Sequence, residues 1–197
     1  MMGNACCRPN DRRLPTFVMD NFIRRLISPP EKKISRFVTP GIVTADIGCG
    51  PGYFTVPMAE LVGSNGKVYA ADADPRSVNA LKRKLGERGL QNVVEAQTTS
   101  AASLEFIPDR SVDFAFSNDV LCCMVDHRGA IAEIKRILKP RGLCYLSVTK
   151  LYRKKDSRAV LKGEWNQILE GFDVKDRGEG VMNRWATLFL RNGVLPH

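Results

Sequence analysis

Residues 44–59 read TADIGCGPGYFTVPMA, and this stretch decides the fold. An apolar, strand-like run through Ile42, Val43 and Ala45 ends in Asp46. Glycines follow at alternate positions, Gly48, Gly50 and Gly52, and a helical pattern starts at Tyr53. Glycine adopts backbone conformations closed to other residues, so the chain can turn tightly and a ligand can lie against bare main chain. A helix that starts after such a turn offers unpaired N–H groups and a partial positive charge to a ligand's anionic end. The spacing therefore predicts a strand–loop–helix element that binds a nucleotide. It is not the dinucleotide fingerprint Gly-x-Gly-x-x-Gly. Counted from Gly48 the last position is Tyr53, and counted from Gly50 it is Thr55. Asp46, at the strand's end, would repel a pyrophosphate and suits a cationic group such as an ammonium.

Asp46-Ile47-Gly48-Cys49-Gly50-Pro51-Gly52 resembles, at every fixed position, the Asp/Glu-x-Gly-x-Gly-x-Gly motif of the class I S-adenosylmethionine-dependent methyltransferases. The resemblance implies an α/β fold with a Rossmann-like, seven-stranded, mostly parallel sheet and helices on both faces. It implies S-adenosylmethionine as cofactor, S-adenosylhomocysteine as product and no metal. Asp46, Gly48, Cys49, Gly50 and Gly52 would then face the cofactor. Residues 67–74, KVYAADAD, are a second strand ending in acid. Asp72 follows Gly48 by 24 residues, which fits one helix, one return strand and an acid on the ribose hydroxyls. A carboxylate can accept two hydrogen bonds from the diol. The resemblance selects Asp72 over Asp74 and lays Ala73 against adenine. Asp74, before Pro75, reads as a helix N-cap.

The later elements follow the same order. Residues 93–96 read as a short third strand. Related proteins often follow it with a Gly-Asp pair that reaches the adenine amino group. Thr99 and Ser100 stand there in this chain, so Ser100 and Ala101 take the adenine-side place, with a hydroxyl in place of a charge. Residues 111–117, SVDFAFS, form a fourth strand, and Asn118 follows where the family lines the cofactor cleft. Ala130, Ile131, Ile134, Ile137 and Leu138 repeat at helical spacing. Residues 138–142, LKPRG, resemble the family's Leu-Lys-Pro-Gly-Gly turn with Arg141 in place of a glycine, and residues 143–148 are the fifth strand. A helix near 157–169 and extended runs at 172–175 and 186–191 would complete seven strands. The resemblance spans about residues 39–149, more than half the chain.

A methyl on a positively charged sulfur is already activated, so catalysis is mostly positioning of the acceptor and exclusion of water. A base is needed only for an acceptor that must lose a proton. Asp119 is the candidate catalytic residue, and its alternative reading is a turn or cap. Asp126 and His127 precede a helix, and His127 reads as a surface residue. Residues 117–120, Ser-Asn-Asp-Val, lack the aromatic that amino-methylating nucleic-acid enzymes use to stack a flipped base. The stretch resembles the small-molecule branch near the ubiquinone and menaquinone biosynthesis methyltransferases, with Cys122-Cys123 where two histidines are frequent. Two adjacent thiols could bind a metalloid such as arsenite, or they are simply small buried residues. The expected acceptor is a small molecule. The alternatives are a metalloid, an anionic or RNA acceptor, and a catalytically weak cofactor-binding sensor or partner protein.

A chain of 197 residues is long enough for one domain with its own core. Residues 17–37 read as two short amphipathic helices broken at Pro29-Pro30, so residues 1–38 form an N-terminal helical lid segment and 39–197 the methyltransferase domain. The first 15 residues hold three arginines and no apolar core, and no run of 18 apolar residues exists, so neither a leader nor a membrane span is expected, and the cytoplasm is the expected location. Gly3 and Cys6-Cys7 resemble an acylation signal that lacks its Ser or Thr. The net charge is +9, with clusters at Arg24, Arg25, Lys32, Lys33 and Arg36 and at Lys150, Arg153, Lys154, Lys155 and Arg158. The second cluster follows the fifth strand, where open α/β sheets carry their active-site rim.

Overall fold

Four of the five residues of β1 (Val43–Ile47) are buried, as an apolar strand flanked on both edges must be. It sits mid-sheet between β2 (Lys67–Asp72) and β4 (Val112–Asn118), parallel to both. The computed structural model describes residues 29–151 and 156–191. Its other elements, in chain order, are α1 (Pro30–Ile34), α2 (Thr55–Val62), α3 (Pro75–Glu87), β3 (Val94–Thr98), a short 3-10 turn (Leu121–Cys123), α4 (His127–Ile137), β5 (Leu138–Thr149), α5 (Lys162–Glu170), β6 (Phe172–Glu179) and β7 (Asn183–Leu190). The seven strands lie in the order β3-β2-β1-β4-β5-β7-β6. β7 alone runs antiparallel, pairing with both β5 and β6. This is the doubly wound, mostly parallel sheet that the sequence predicts.

Each face of the sheet carries its own core. Leu104, Ile107, Ile134, Ile137, Trp165 and Phe172 fill one, under α4 and α5. Ile34, Met58, Leu81, Phe114, Phe116 and Tyr145 fill the other, under α1, α2 and α3. The apolar stripe of α4 (Ala130, Ile131, Ile134, Ile137) is buried, as its 3.6-residue spacing requires.

Several boundaries differ from the sequence reading. α2 starts at Thr55, because residues 51–54 form turns that carry the chain out of the glycine loop. β5 starts at Leu138, which already pairs with Val112, and a register shift follows before Phe114 pairs with Leu143. Arg141 sits in that irregular stretch at φ +63, in the left-handed region that the family's glycine would occupy without strain. α5 begins only at Lys162.

β6 forms the far edge of the sheet. Asp173, Lys175, Asp176 and Arg177 are exposed along it, and its register slips between Val174 and Asp176. At the N-terminus, α1 begins at Pro30, where proline is pre-set for a first helical turn. Ile34 is buried, and the Phe37 ring stacks on Phe114 with centroids 5.0 Å apart. The expected helix before Pro29 lies outside the described residues.

Candidate functional site

The glycine loop leaves the C-terminal end of β1. Gly48, Gly50 and Gly52 all have positive φ, at +80, +52 and +93. The N–H groups of Gly48 and Cys49 both donate to the Ala71 carbonyl, at 2.7 and 3.0 Å, which fastens the loop to β2. Gly50 N–H donates to the Asp72 carboxylate at 2.8 Å. Lys84 Nζ, from α3, donates to the Pro51 carbonyl at 2.8 Å. A Cβ on Gly52 would lie 2.7 Å from Leu81, and one on Gly48 would lie 2.2 Å from Val120. The loop is therefore bare partly so that the segment after β4 can close against it.

Two carboxylates flank this loop. Asp46 is buried at the end of β1 and accepts a hydrogen bond from the Thr55 hydroxyl at 2.6 Å. Burial, opposed by the Thr55 bond and aided by the charge on Asp72, pushes its carboxyl up to about 7. Asp72 ends β2, half-buried, and its second oxygen accepts from Asp74 N–H at 2.8 Å. Asp74 has the other role read from the sequence. It caps α3, accepting from Arg76 N–H at 3.1 Å, with Pro75 at the first helical position. Ala73 is half-buried between the two acids. Burial, then the charges of Asp46 and Asp72, push the Cys49 thiol well above its usual range, so it is no thiolate nucleophile.

Ser100 lies in the loop after β3, tied to the end of β2 because Thr99 N–H donates to the Asp72 carbonyl at 3.0 Å. The Ser100 hydroxyl accepts from Ala102 N–H at 3.2 Å and so caps its own turn, with Ala101 buried inside. The stretch stands beside Asp72, and its hydroxyl is engaged locally.

The end of β4 carries a polar network. Asp119 sits at φ +58, a left-handed conformation that costs energy for a residue with a Cβ. Its N–H donates to both the carbonyl and the hydroxyl oxygen of Ser147 on β5, at 3.1 and 3.0 Å. Its carboxylate accepts from the Ser147 hydroxyl at 3.0 Å and from the Asn118 amide at 3.1 Å. Asn118 in turn accepts from Lys33 Nζ, on α1, at 2.7 Å across 85 residues of sequence. Strain held by this many bonds is what functional sites accumulate. The Lys33 contact has no local signal in the sequence beyond the basic cluster in which it stands.

The remaining candidates divide. The thiols of Cys122 and Cys123 both donate to the Asp119 carbonyl, at 3.0 and 3.6 Å, and Cys122 is fully buried. Asp126 caps α4, accepting from Gly129 N–H at 3.1 Å. His127 is not the surface residue expected. It is buried, with Nδ1 2.6 Å from Glu164 on α5 and Nε2 2.9 Å from the Met124 carbonyl, so it pins α5 to the turn after β4. An amphipathic start to α4 places it inward, where Glu164 and the Met124 carbonyl partner its two ring nitrogens. Among the described residues, no group of three or more His, Cys, Asp or Glu could hold a metal, and no helix is long and apolar enough to cross a membrane.

A buried acid disfavoured as an anion, a bare left-handed glycine loop and a second acid at the next strand's end fit a ligand that is cationic at one end and carries a diol. Together with the sheet order they define a class I, S-adenosylmethionine-dependent methyltransferase. Residues 45–146 match the family described as Methyltransferase domain, and the chain belongs to it. It is 33% identical over 106 residues, 54% of this chain, to a demethylmenaquinone methyltransferase of Geobacillus stearothermophilus. It is 30% identical over 125 residues, 64% of this chain, to a ubiquinone biosynthesis O-methyltransferase of Cereibacter sphaeroides. The matches cover 44% and 48% of those proteins, so the chain spans about half the length of the curated relatives it matches. A solved SAM-dependent methyltransferase from Aquifex aeolicus superposes with a TM-score of 0.76 at 27% identity, covering 89% of this chain and 97% of that one.

Proposed function

We propose that the chain transfers the methyl group of S-adenosylmethionine to a small, quinone-related acceptor. The observation that carries this is the cradle of Asp46, the glycine loop and Asp72, with Asn118 and Asp119 at the end of the neighbouring strand β4. The names of the relatives support the acceptor class. When bound, the cofactor supplies a methyl already activated on a sulfonium. Asp46 faces its ammonium end, Gly50 and the loop backbone lie along it, Asp72 takes the ribose hydroxyls, and Ala73, Ser100 and Ala101 border adenine. Asn118 lines the cleft.

Asp119 would take a proton from a hydroxyl acceptor. The Ser147 hydroxyl and the Asn118 amide hold its carboxylate in one orientation, which limits the rotational freedom an acceptor complex would otherwise have to remove. The two thiols point at a backbone carbonyl, which favours their reading as small packing residues over a metalloid site. Titration calorimetry with S-adenosylhomocysteine should show binding near one to one. No heat and no thermal shift at millimolar ligand would overturn the proposal.

A further inference from the structure

Among the described residues, the exposed large apolar side chains are Leu151, Leu161, Val174, Val181 and Met182. Three of them meet at one point. Val181 and Met182, 91% and 57% exposed, lie in the turn between β6 and β7. Leu151, 66% exposed, follows the end of β5. The backbone holds the three together. Lys150 N–H and the Thr149 hydroxyl both donate to the Met182 carbonyl, at 2.7 and 3.1 Å, and Leu151 N–H donates to the Thr149 hydroxyl at 3.3 Å. Gly180 N–H donates to the Asn183 carbonyl at 2.9 Å and closes the turn. The base of this tip is basic. Lys150 and Arg184 share the single carboxylate of Glu179, at 2.9 and 3.2 Å, so the trio keeps a net positive charge. Arg36 lines the same groove as Glu179 and Gly180 and adds to that charge. In the sequence the chain runs on from Leu151 into Arg153, Lys154 and Lys155.

We propose that this tip docks on an anionic lipid surface, with Val181, Met182 and Leu151 entering the headgroup layer and the basic residues behind them facing the lipid phosphates. The inference goes beyond the methyl-transfer reading and does not depend on it. Clustered exposed aliphatic side chains mark an interaction site, where single ones do not. A lipid interface suits both parts of the tip. Burying its aliphatic surface is favourable, and anionic headgroups attract basic residues that come close to them. The attraction needs only net charge, so the pairs with Glu179 can stay intact. The whole chain carries +9, which adds a longer-range pull of the same sign. The topology gives docking a direction. β4 and β5 run parallel, and Ser147, which holds Asp119, lies close to Thr149 at the end of β5. Docking at the tip therefore turns the Asn118–Asp119 end of the sheet toward the bilayer, and an acceptor dissolved in lipid would approach from that side.

The test is co-sedimentation of the full chain with vesicles of phosphatidylcholine alone, and of phosphatidylcholine mixed with an equal part of phosphatidylglycerol. The chain should bind the anionic vesicles at least about tenfold more tightly than the neutral ones, and raised salt should release it. Val181→Ser with Met182→Ser should weaken that binding by at least about tenfold, with the urea midpoint unchanged, because both side chains face solvent. Val174→Ser, at an exposed apolar position lower on β6 opposite Leu188, should leave vesicle binding as it was. No binding to anionic vesicles, equal binding to both kinds, binding that the double variant retains, or an equal loss in Val174→Ser would overturn the proposal. A wild-type dimer that the double variant turns into a monomer, without vesicle binding, would assign the tip to a second copy of this chain and overturn it as well. Calorimetry with S-adenosylhomocysteine reads the methyl-transfer proposal separately, so either can fail while the other stands.

Discussion

Asp46→Asn separates the ionisation of the buried acid from everything else it does. The amide keeps the shape and can still accept from Thr55, whose hydroxyl is 2.6 Å from the wild-type carboxylate. The folded carboxyl is pushed from 3.8 to about 7. The raised value means the folded state holds its proton longer than the unfolded chain does. The contribution to stability is therefore fully present below the unfolded value near 3.8 and is lost as pH rises through about 7. From those two values the wild type should lose about 2.5 kcal/mol through this one group between pH 5 and pH 8. Asp46→Asn has nothing to ionise there. Urea unfolding of both ligand-free proteins at the two pH values gives the difference of differences, and any packing cost of the amide cancels from it. The variant should gain on the wild type by about 2.5 kcal/mol on going from pH 5 to pH 8, and should no longer be stabilised by S-adenosylhomocysteine. A difference that stays constant with pH, or moves in favour of the wild type as pH rises, would refute the reasoning.

Asp72→Ala should weaken S-adenosylhomocysteine binding by about 1–3 kcal/mol in calorimetry, the cost of losing a charged partner, while Asp74→Ala should act mainly on the start of α3 and lower the urea midpoint. If Asp74→Ala weakens binding more, the ribose acid is misassigned. Arg141→Gly should raise the unfolding free energy by about 0.5–1 kcal/mol, because glycine holds the φ of +63 without strain. A decrease would mean that the Arg141 side chain contributes more than its backbone costs.

The glycine loop, Asp46, Asp72 and the capping role of Asp74 were legible because each is local. A strand, a turn and a helix start lie within one short stretch, and Asp72 follows by the length of one βαβ return. What sheet register brings together was not legible. Asn118 meets Ser147 because β4 pairs with β5, and Ser147 in turn faces Trp185 on β7. No spacing in the sequence links Lys33 to Asn118, or His127 to Glu164. The role of Gly48 was only half visible: the sequence shows that a side chain is excluded, while the structure shows that Val120 excludes it. Ser100 was placed by alignment, but its bond to Ala102 depends on a turn that the sequence leaves open.

The slipped register of β6 has a consequence for how copies of this chain meet. An open sheet ends in a row of backbone donors and acceptors that any extended segment could complete, and such edges seed aggregation. Here the row is broken between Val174 and Asp176, and acids and bases alternate along it from Asp173 to Arg177. A second strand laid in register would find its ladder interrupted and would have to desolvate charges of both signs. β6 thus both completes the sheet and terminates it, leaving a margin that resists extension into a fibre.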